Sequence, residues 1–229
     1  WDTTAALESA RPMIGPHTTV MSLQNGVQKD ELLRAALGDA VALLGGVVYI
    51  EAHIEAPGLI VHGGSLQRLV FGPFEGAPSA LAEEFLRACQ TAGIVAELSP
   101  TIEKAIWEKF VFLVGLSTIT SASRLTIGPM RTNARTRGLL LGLLREVVLV
   151  GRARGIDLPE DFADEAIGRF DAMPPAMTSS MHKDLLRGSR LELAWLSGHV
   201  VALGREVGVA TPINQVLSDV LDPYANGQP

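Results

Sequence analysis

The sequence predicts an α/β domain followed by an all-α domain, and three observations lead to this fold class. Helical and strand patterns alternate along the first hundred residues, as they do in sheets covered by helices. The segments after residue 100 have the helical spacing of apolar residues, and none of them alternates as a strand does. At the junction, Ser99 suits a helix N-cap and Pro100 suits the first helical position. We therefore place a domain boundary near residue 99.

In the first domain, short apolar or β-branched runs bounded by turn residues predict the strands. The predicted strands are 19–23, 41–50, 59–62, 68–71 and 95–98. The predicted helices are 3–13, 30–37 and 80–91. Gly63-Gly64 is expected to form a hairpin turn between the two strands that flank it. Because 41–50 is a continuous apolar run, we expect it to be buried on both faces of a largely parallel sheet.

The second domain is predicted to contain six helices, separated by glycine and proline stop signals. They are 101–121, 132–154, 160–171, 179–187, 191–207 and 211–221. The helix 132–154 carries the clearest apolar stripe, with leucines and valines recurring every three or four residues. Such stripes allow the helices to form a core of their own.

The composition excludes several classes of protein. The chain has 229 residues, of which 47% are hydrophobic, and a formal net charge of −6, which argues against binding to nucleic acid or an anionic membrane. Cys89 is the only cysteine, so there is no disulfide framework, and we expect a reducing, cytoplasmic location. No uninterrupted apolar run reaches the roughly 18–20 residues of a membrane span. The five histidines show no metal-ligand spacing.

The segment Ser22–Gly26 follows a predicted strand and precedes a predicted helix. Ligands of open α/β sheets bind where strands end, and the Asn25 amide can both donate and accept hydrogen bonds. Asn25-Gly26 is also a favoured turn dipeptide, so a purely structural turn is the alternative.

Lys109 lies early on a predicted helix that is otherwise rich in apolar residues. Burial of an ammonium is costly unless the group is paired or functional, and burial can adapt its pKa to acid–base catalysis. The alternative is a lysine that extends from the helix edge into water. Leu113 and Ser117 follow at i+4 and i+8, so the three side chains share one helix face.

Ser179-Ser180-Met181 and Glu192 lie at the starts of two predicted helices. Serine hydroxyls and a carboxylate at these positions could contact a ligand. They could equally cap a helix or interact favourably with its dipole.

Six short motifs occur in one order along the chain, and their combination resembles the ketopantoate reductase (2-dehydropantoate 2-reductase) family. They are Leu23-Gln24-Asn25-Gly26, Ala56-Pro57-Gly58, Trp107-x-Lys109, Ser179-Ser180-Met181-x-x-Asp184, Glu192 with Ser197-Gly198, and Thr211-Pro212-x-Asn214. The resemblance covers about residues 1–221, and its specificity lies in the combination, since no single motif is specific.

The resemblance implies two domains. Residues 1–99 would be the C-terminal part of an NADP-binding Rossmann domain. Residues 100–229 would be a helical substrate and dimerisation domain similar to the C-terminal domain of 6-phosphogluconate dehydrogenase. The implied reaction transfers hydride from NADPH to the ketone carbon of a 2-oxo acid, with 2-dehydropantoate, a precursor of pantothenate and coenzyme A, as the expected substrate.

The resemblance also implies roles for individual residues. Lys109 would be the general acid. Its positive charge would stabilise the developing alkoxide, and it would then donate a proton to that oxygen. The residues expected near the cofactor are Asn25, Ala52 and Glu192. The residues expected to contact the substrate are Asn25, Lys109, Leu113, Ser117 and Ser180.

The sequence departs from the family pattern at three substrate positions. The family's best-studied members have asparagine where this chain has Leu113, Ser117 and, in the loop that follows, Ile127. Leucine and isoleucine side chains cannot form hydrogen bonds, and each lost charge-assisted contact is worth about 1.5–3 kcal/mol. A reductase of another, more apolar 2-oxo acid is therefore a second interpretation.

The sequence contains no GxGxxG phosphate-binding loop. The resemblance places that loop upstream of Trp1, within a preceding segment of about 75–90 residues, roughly half a domain. We therefore expect the chain as given to be incomplete. A truncated, inactive helical dimerisation module is the third interpretation.

Overall fold

The computed structural model describes residues 1–228, apart from the side chain of Ser65. The chain divides into two compact units, of which unit 1 is Trp1–Ile106 and unit 2 begins at Trp107. The helices and strands of unit 1 are α1 Thr3–Ala10, β1 Thr19–Ser22, α2 Lys29–Leu37, β2 Ala42–Ala56, β3 Leu59–Pro73, α3 Ala80–Thr91 and β4 Ala96–Leu98. A short 3₁₀ helix, Arg11–Met13, follows α1.

The four strands of unit 1 form one mixed sheet in the order β1-β2-β3-β4. β1 pairs with β2 and β3 pairs with β4 in parallel, whereas β2 and β3, the longest strands, are antiparallel. The expectation of a largely parallel sheet is therefore wrong for its longest pairing. A direct hairpin connection causes this, because strands joined by a tight turn must run in opposite directions.

The hairpin turn lies at Pro57-Gly58, and the turn predicted at Gly63-Gly64 is wrong. Gly58 has φ +79°, and β3 continues through both later glycines as a single strand. Gly64, with φ +65°, lies opposite a register shift between Ile50 and Glu51 and so belongs to a β-bulge. Gly58 in the turn and Gly64 in the bulge both have a positive φ, which glycine adopts readily, so a glycine alone does not distinguish a turn from a bulge.

The two faces of the sheet have different partners within unit 1. On one face, Phe71 and Leu44 pack with Ala82 and Cys89 of α3. On the other face, residues of β2 and β3 pack against the start of α4 (Ile102–Ser123). Only Leu44–Val47 of β2 is buried, so the expectation that the whole run 41–50 is covered on both faces is wrong.

In unit 2, every element of secondary structure among the described residues is a helix. Unit 2 contains most of α4 (Ile102–Ser123), then α5 Ile127–Thr132, α6 Ala134–Ala153, α7 Phe162–Ala172, α8 Ser180–Arg187, α9 Ser197–Val207 and α10 Pro212–Leu221, with 3₁₀ helices at Leu193–Trp195 and Asp222–Tyr224. The predicted helix 191–207 is wrong as one element, because the backbone of Leu196 leaves helical geometry at φ −114° and ψ −109°. The sequence analysis also missed α5.

α4 is rich in apolar residues, and most of its side chains are buried. By length and apolar composition it could cross a membrane, but 67% of its apolar window is buried within the protein. Gly115 allows α6 to approach closely, because a Cβ there would lie 2.5 Å from the Leu144 side chain. Phe112 stacks on Phe170 of α7 with ring centroids 4.9 Å apart. These contacts identify α4 as a core helix.

Candidate active site

The loop after β1 is held close to the sheet in unit 1. A Cβ on Gly46 of β2 would lie 2.7 Å from the Leu23 side chain, so a larger residue at position 46 would displace Leu23. The Gln24 side-chain oxygen accepts hydrogen bonds from Thr3 and Ser22, each at 3.0 Å. Asn25 is half-buried and lies in the same loop, just after the C-terminal end of β1. The loop is therefore a defined structure that places Asn25 at the carboxyl edge of the sheet.

This edge offers polar groups suited to a nicotinamide dinucleotide. The side-chain oxygen of Gln28, at the N-cap of α2, is buried without a hydrogen-bond partner among the described residues. The ribose hydroxyls and carboxamide of a nicotinamide nucleotide are donors that such an acceptor can bind. The residues present at the carboxyl end of β1 thus fit the nicotinamide part of the cofactor.

Ala52 lies farther along β2, on a part of the hairpin that extends beyond both neighbouring strands. β1 pairs with β2 only as far as Gly45, while Ala52 is exposed and paired with His62 of β3. Since β1 and β2 are parallel, this extension projects from the same edge of the sheet as the loop that holds Asn25.

In unit 2, α4 carries Lys109 among buried residues. Trp107 and Phe110 are 3% and 1% exposed and contact each other edge to face, with ring centroids 5.4 Å apart. Lys109 itself is half-buried, as is Leu113 one turn later. Ser117, a further turn along, is only 2% exposed. The three predicted side chains share a face, which becomes more buried toward the C-terminal end of α4.

Ile127, the third position where the family has asparagine, is fully buried. Its backbone N–H donates to the Met177 carbonyl at 2.9 Å, and that of Gly128 donates to Pro175 at the same distance. These bonds attach the start of α5 to the segment that leads into α8. The Ile127 side chain belongs to the core of unit 2 in this structure.

The N-terminus of α8 is ordered by side-chain hydrogen bonds. Ser179 is the N-cap, and its hydroxyl accepts from the His182 N–H at 3.0 Å. The Ser179 hydroxyl also lies 3.0 Å from that of Thr120 on α4. Ser180, the predicted substrate residue, is exposed at the first position of the helix. Its backbone N–H belongs to the first turn, where helical amides lack acceptors within the helix and attract anions.

Glu192 is half-buried and is the N-cap of the 3₁₀ helix Leu193–Trp195. It does not open α9, which begins five residues later at Ser197. Among the described residues, no group of three or more histidines, cysteines or carboxylates is placed to hold a metal ion.

The sequence analysis missed a buried ion pair beside the Asn25 loop. The Lys29 ammonium donates to both carboxylate oxygens of Asp30 at 2.9 Å, with 4% and 9% of the two side chains exposed. Burial lowers the pKa of Lys29 and raises that of Asp30, and the contact between the two charges opposes both shifts. Adjacent charged residues at a helix start resemble an ordinary solvated turn, so the sequence held no signal of their burial.

A mixed α/β unit that precedes a helical unit is the fold of a class of oxidoreductases, and this chain shares that fold. The sequence model described as ketopantoate reductase PanE/ApbA C terminal matches residues 101–225, and that described as ketopantoate reductase PanE/ApbA matches residues 1–76. The chain belongs to the ketopantoate reductase family, and is an oxidoreductase acting on CH–OH groups.

Individual relatives agree with this assignment. An uncharacterized oxidoreductase of Bacillus subtilis strain 168, YkpB, is 28% identical over 95% of this chain and 72% of that protein. A 2-dehydropantoate 2-reductase of Archaeoglobus fulgidus is 30% identical over 91% of this chain and 68% of that enzyme.

Two solved structures have the same fold. The crystal structure of a PanE/ApbA family ketopantoate reductase from Ralstonia eutropha JMP134 superimposes with a TM-score of 0.87 at 28% identity, covering 98% of this chain and 72% of that one. A D-mandelate dehydrogenase solved with NADH and anilino(oxo)acetate also gives a TM-score of 0.87, over the same shares of the two chains. At 19% identity, this second likeness shows the fold alone.

Proposed function

We propose that the full-length protein reduces a 2-oxo acid to the 2-hydroxy acid with NADPH. The observation that carries the proposal is the half-buried Lys109 on α4, the helix to which the N-terminus of α8 is hydrogen-bonded. Family membership supports the same reaction. We assign residues 1–99 to the cofactor-binding domain and residues 100–229 to the domain for substrate binding and dimerisation.

A nicotinamide cofactor, when bound, would supply the hydride for the ketone carbon. Lys109 stabilises the negative charge that develops on the ketone oxygen and then donates its proton to that oxygen. Lys109 is half-buried, and its reduced contact with water strengthens this electrostatic effect. Asn25, Ala52 and Glu192 are assigned to the cofactor, and Asn25 also to the substrate.

Ser180 and the first turn of α8 are assigned to the substrate carboxylate. A hydroxyl and backbone N–H groups at a helix N-terminus bind an anion through both hydrogen bonds and the helix dipole. Leu113 and Ser117 complete the α4 face on which Lys109 lies.

The substrate we propose first is 2-dehydropantoate, and one observation favours a second candidate. Leu113 is half-buried one turn from Lys109, so it offers a methyl surface to whatever lies on that face. An apolar surface favours a 2-oxo acid with an aliphatic or aromatic side chain over one that bears a hydroxyl group.

A homodimer through the helical unit is part of the proposal. α10 exposes Val216 and Val220, which are 60% and 53% accessible and one turn apart, so they form a small apolar stripe. Val216→Glu should shift the mass measured by light scattering from dimer to monomer. An unchanged mass would place the contact elsewhere or show that none exists.

The test of the proposed reaction is NADPH oxidation by the full-length protein with a panel of 2-oxo acids. The panel includes 2-dehydropantoate and 3-methyl-2-oxobutanoate, which lacks the hydroxymethyl group. We expect turnover with at least one member and an NADPH requirement that NADH meets less well. The absence of turnover with every member would refute the proposed reaction.

A further inference from the structure

A continuous series of hydrogen bonds joins α8 to α4. The His182 N–H donates to the Ser179 hydroxyl at 3.0 Å, and the Thr120 hydroxyl donates to the Leu116 carbonyl at 2.6 Å. The Ser179 and Thr120 oxygens lie 3.0 Å apart. A hydroxyl has one hydrogen to donate, and Thr120 uses its own on Leu116. The Ser179 hydroxyl is therefore the donor to Thr120, and all three bonds run in the same direction.

These groups are shielded from water. Thr120 is 0% exposed and Ser179 is 5% exposed, although the two residues are 59 positions apart in the chain. If either hydroxyl were removed, the other would lose a partner that water cannot replace without opening the core. The bond therefore ties the N-cap of α8 to one position on α4.

That position lies on the face of α4 that carries Lys109. Eleven residues separate Lys109 from Thr120, which is about three turns, so the two side chains project within roughly 20° of each other around the helix axis. Thr118 is also 0% exposed, but it projects from the opposite face, and its hydroxyl has no hydrogen-bond partner among the described residues.

We propose that Thr120 is a positioning residue for substrate binding. Through Ser179 it fixes the start of α8, and thereby holds the Ser180 hydroxyl and the first-turn N–H groups where the carboxylate of the 2-oxo acid binds. This inference rests on the proposed function, since it takes Ser180 as the residue that contacts the substrate.

The test compares Thr120→Val with Thr118→Val in the full-length protein. Both changes replace a buried hydroxyl by a methyl group at nearly constant volume, but only the first breaks the series. For Thr120→Val we expect KM for the 2-oxo acid to rise about tenfold, with kcat and the KM for NADPH changed less than about twofold. Thr118→Val should leave all three unchanged, and Thr120→Ser, which keeps the hydroxyl, should restore the wild-type KM.

Hydrogen exchange gives a readout that does not depend on activity. Amides of residues 178–183 should exchange faster in Thr120→Val than in Thr118→Val or in the wild type. If the valine variant does not fold, Thr120→Ala and Thr118→Ala provide the same comparison.

An unchanged KM in an active Thr120→Val enzyme would overturn the positioning role and leave the proposed function intact. An equal rise in KM for Thr118→Val would also overturn it, because the effect would then be general to the helix. A wild-type protein that reduces no 2-oxo acid would refute the proposed function itself, and the substrate role of Thr120 with it.

Discussion

The Glu146 carboxylate of α6 binds Asn214 at the start of α10. One carboxylate oxygen accepts from the backbone N–H and the side-chain amide of Asn214, at 2.9 and 2.8 Å, while the other accepts from the Ile213 N–H at 2.8 Å. Asn214 is fully buried and Glu146 is 7% exposed. A buried charge is thus satisfied by the N-terminal amides of another helix. In this chain, the asparagine of the Thr211-Pro212-x-Asn214 motif has a structural role.

Glu146→Gln should destabilise the protein by about 1.5–3 kcal/mol, because the neutral side chain loses a charge-assisted acceptor and turns a donor toward other donors. Urea unfolding followed by circular dichroism measures the change. Glu165→Gln, at an exposed position on α7, is the matched control and should change stability by less than about 0.5 kcal/mol. Equal effects in the two variants would refute the capping role.

Removal of Lys29 alone should be more harmful than removal of both charges of the buried pair. Lys29→Met leaves the Asp30 carboxylate buried without its partner and should cost about 3–5 kcal/mol at pH 7, whereas Lys29→Met with Asp30→Leu should be nearly neutral. Thermal unfolding of the single and double variants measures this coupling. Additive effects of the two substitutions would contradict it.

The Lys29→Met variant should also regain stability as the pH falls. Burial raises the pKa of Asp30, and the nearby Glu103 raises it further, while Arg34 opposes the shift. The folded state therefore binds a proton more readily than the unfolded state, so stability rises as the pH falls through the folded pKa and levels off below the unfolded one. Unfolding free energies of this variant at pH 7 and pH 5 would show the gain. If the unfolding free energy of Lys29→Met instead fell relative to that of the wild type between pH 7 and pH 5, this prediction would be wrong.

His182 should make the protein less stable in acid. Burial lowers its pKa, and the positive charge of Arg124 acts in the same direction. A histidine whose folded pKa lies below its unfolded value costs stability as the pH falls through the unfolded value near 6.5. His182→Gln should therefore lose less stability than the wild type between pH 7.5 and 5.5. Identical pH profiles would show that folding does not change the pKa of His182.

Leu113→Asn should shift substrate preference toward hydroxylated 2-oxo acids. An amide one turn from Lys109 can bind a hydroxyl that leucine cannot, so we expect kcat/KM for 2-dehydropantoate to rise about tenfold relative to 3-methyl-2-oxobutanoate. Leu139→Asn, at a site 37% exposed on α6, controls for the chemical change itself. An unaltered ratio in a folded Leu113→Asn protein would show that this face does not contact the substrate side chain.

The sequence predicted where most elements lie, because their determinants are local. A helix cap was one of the two interpretations of Ser179, and in the structure its hydroxyl accepts a hydrogen bond from the N-terminus of α8. The turn between β2 and β3 was misplaced because Pro57-Gly58 and Gly63-Gly64 are comparable local signals. Pairing of Leu59 with Ala56 decides between them, and such pairing is not a property of either segment alone.

Polar pairs between residues far apart in the sequence were not predictable either, because neither partner alone indicates the contact. Thr120 and Ser179 are far apart in sequence, and each has an ordinary local interpretation as a helix hydroxyl or a cap. Glu146 lies on the apolar stripe of α6, where only the arrival of α10 gives it partners. The candidate site residues were instead assigned from the order of the family motifs, and their roles are proposals that mutagenesis must test.

Lys109→Ala in the full-length protein tests the central claim most directly. General acids contribute about 10²–10⁴-fold to rate, so kcat for reduction of the best 2-oxo acid should fall by that factor, while the Kd for NADPH, measured by fluorescence titration, stays within about twofold of wild type. A fall in kcat of less than about threefold would remove Lys109 from the mechanism and contradict the account.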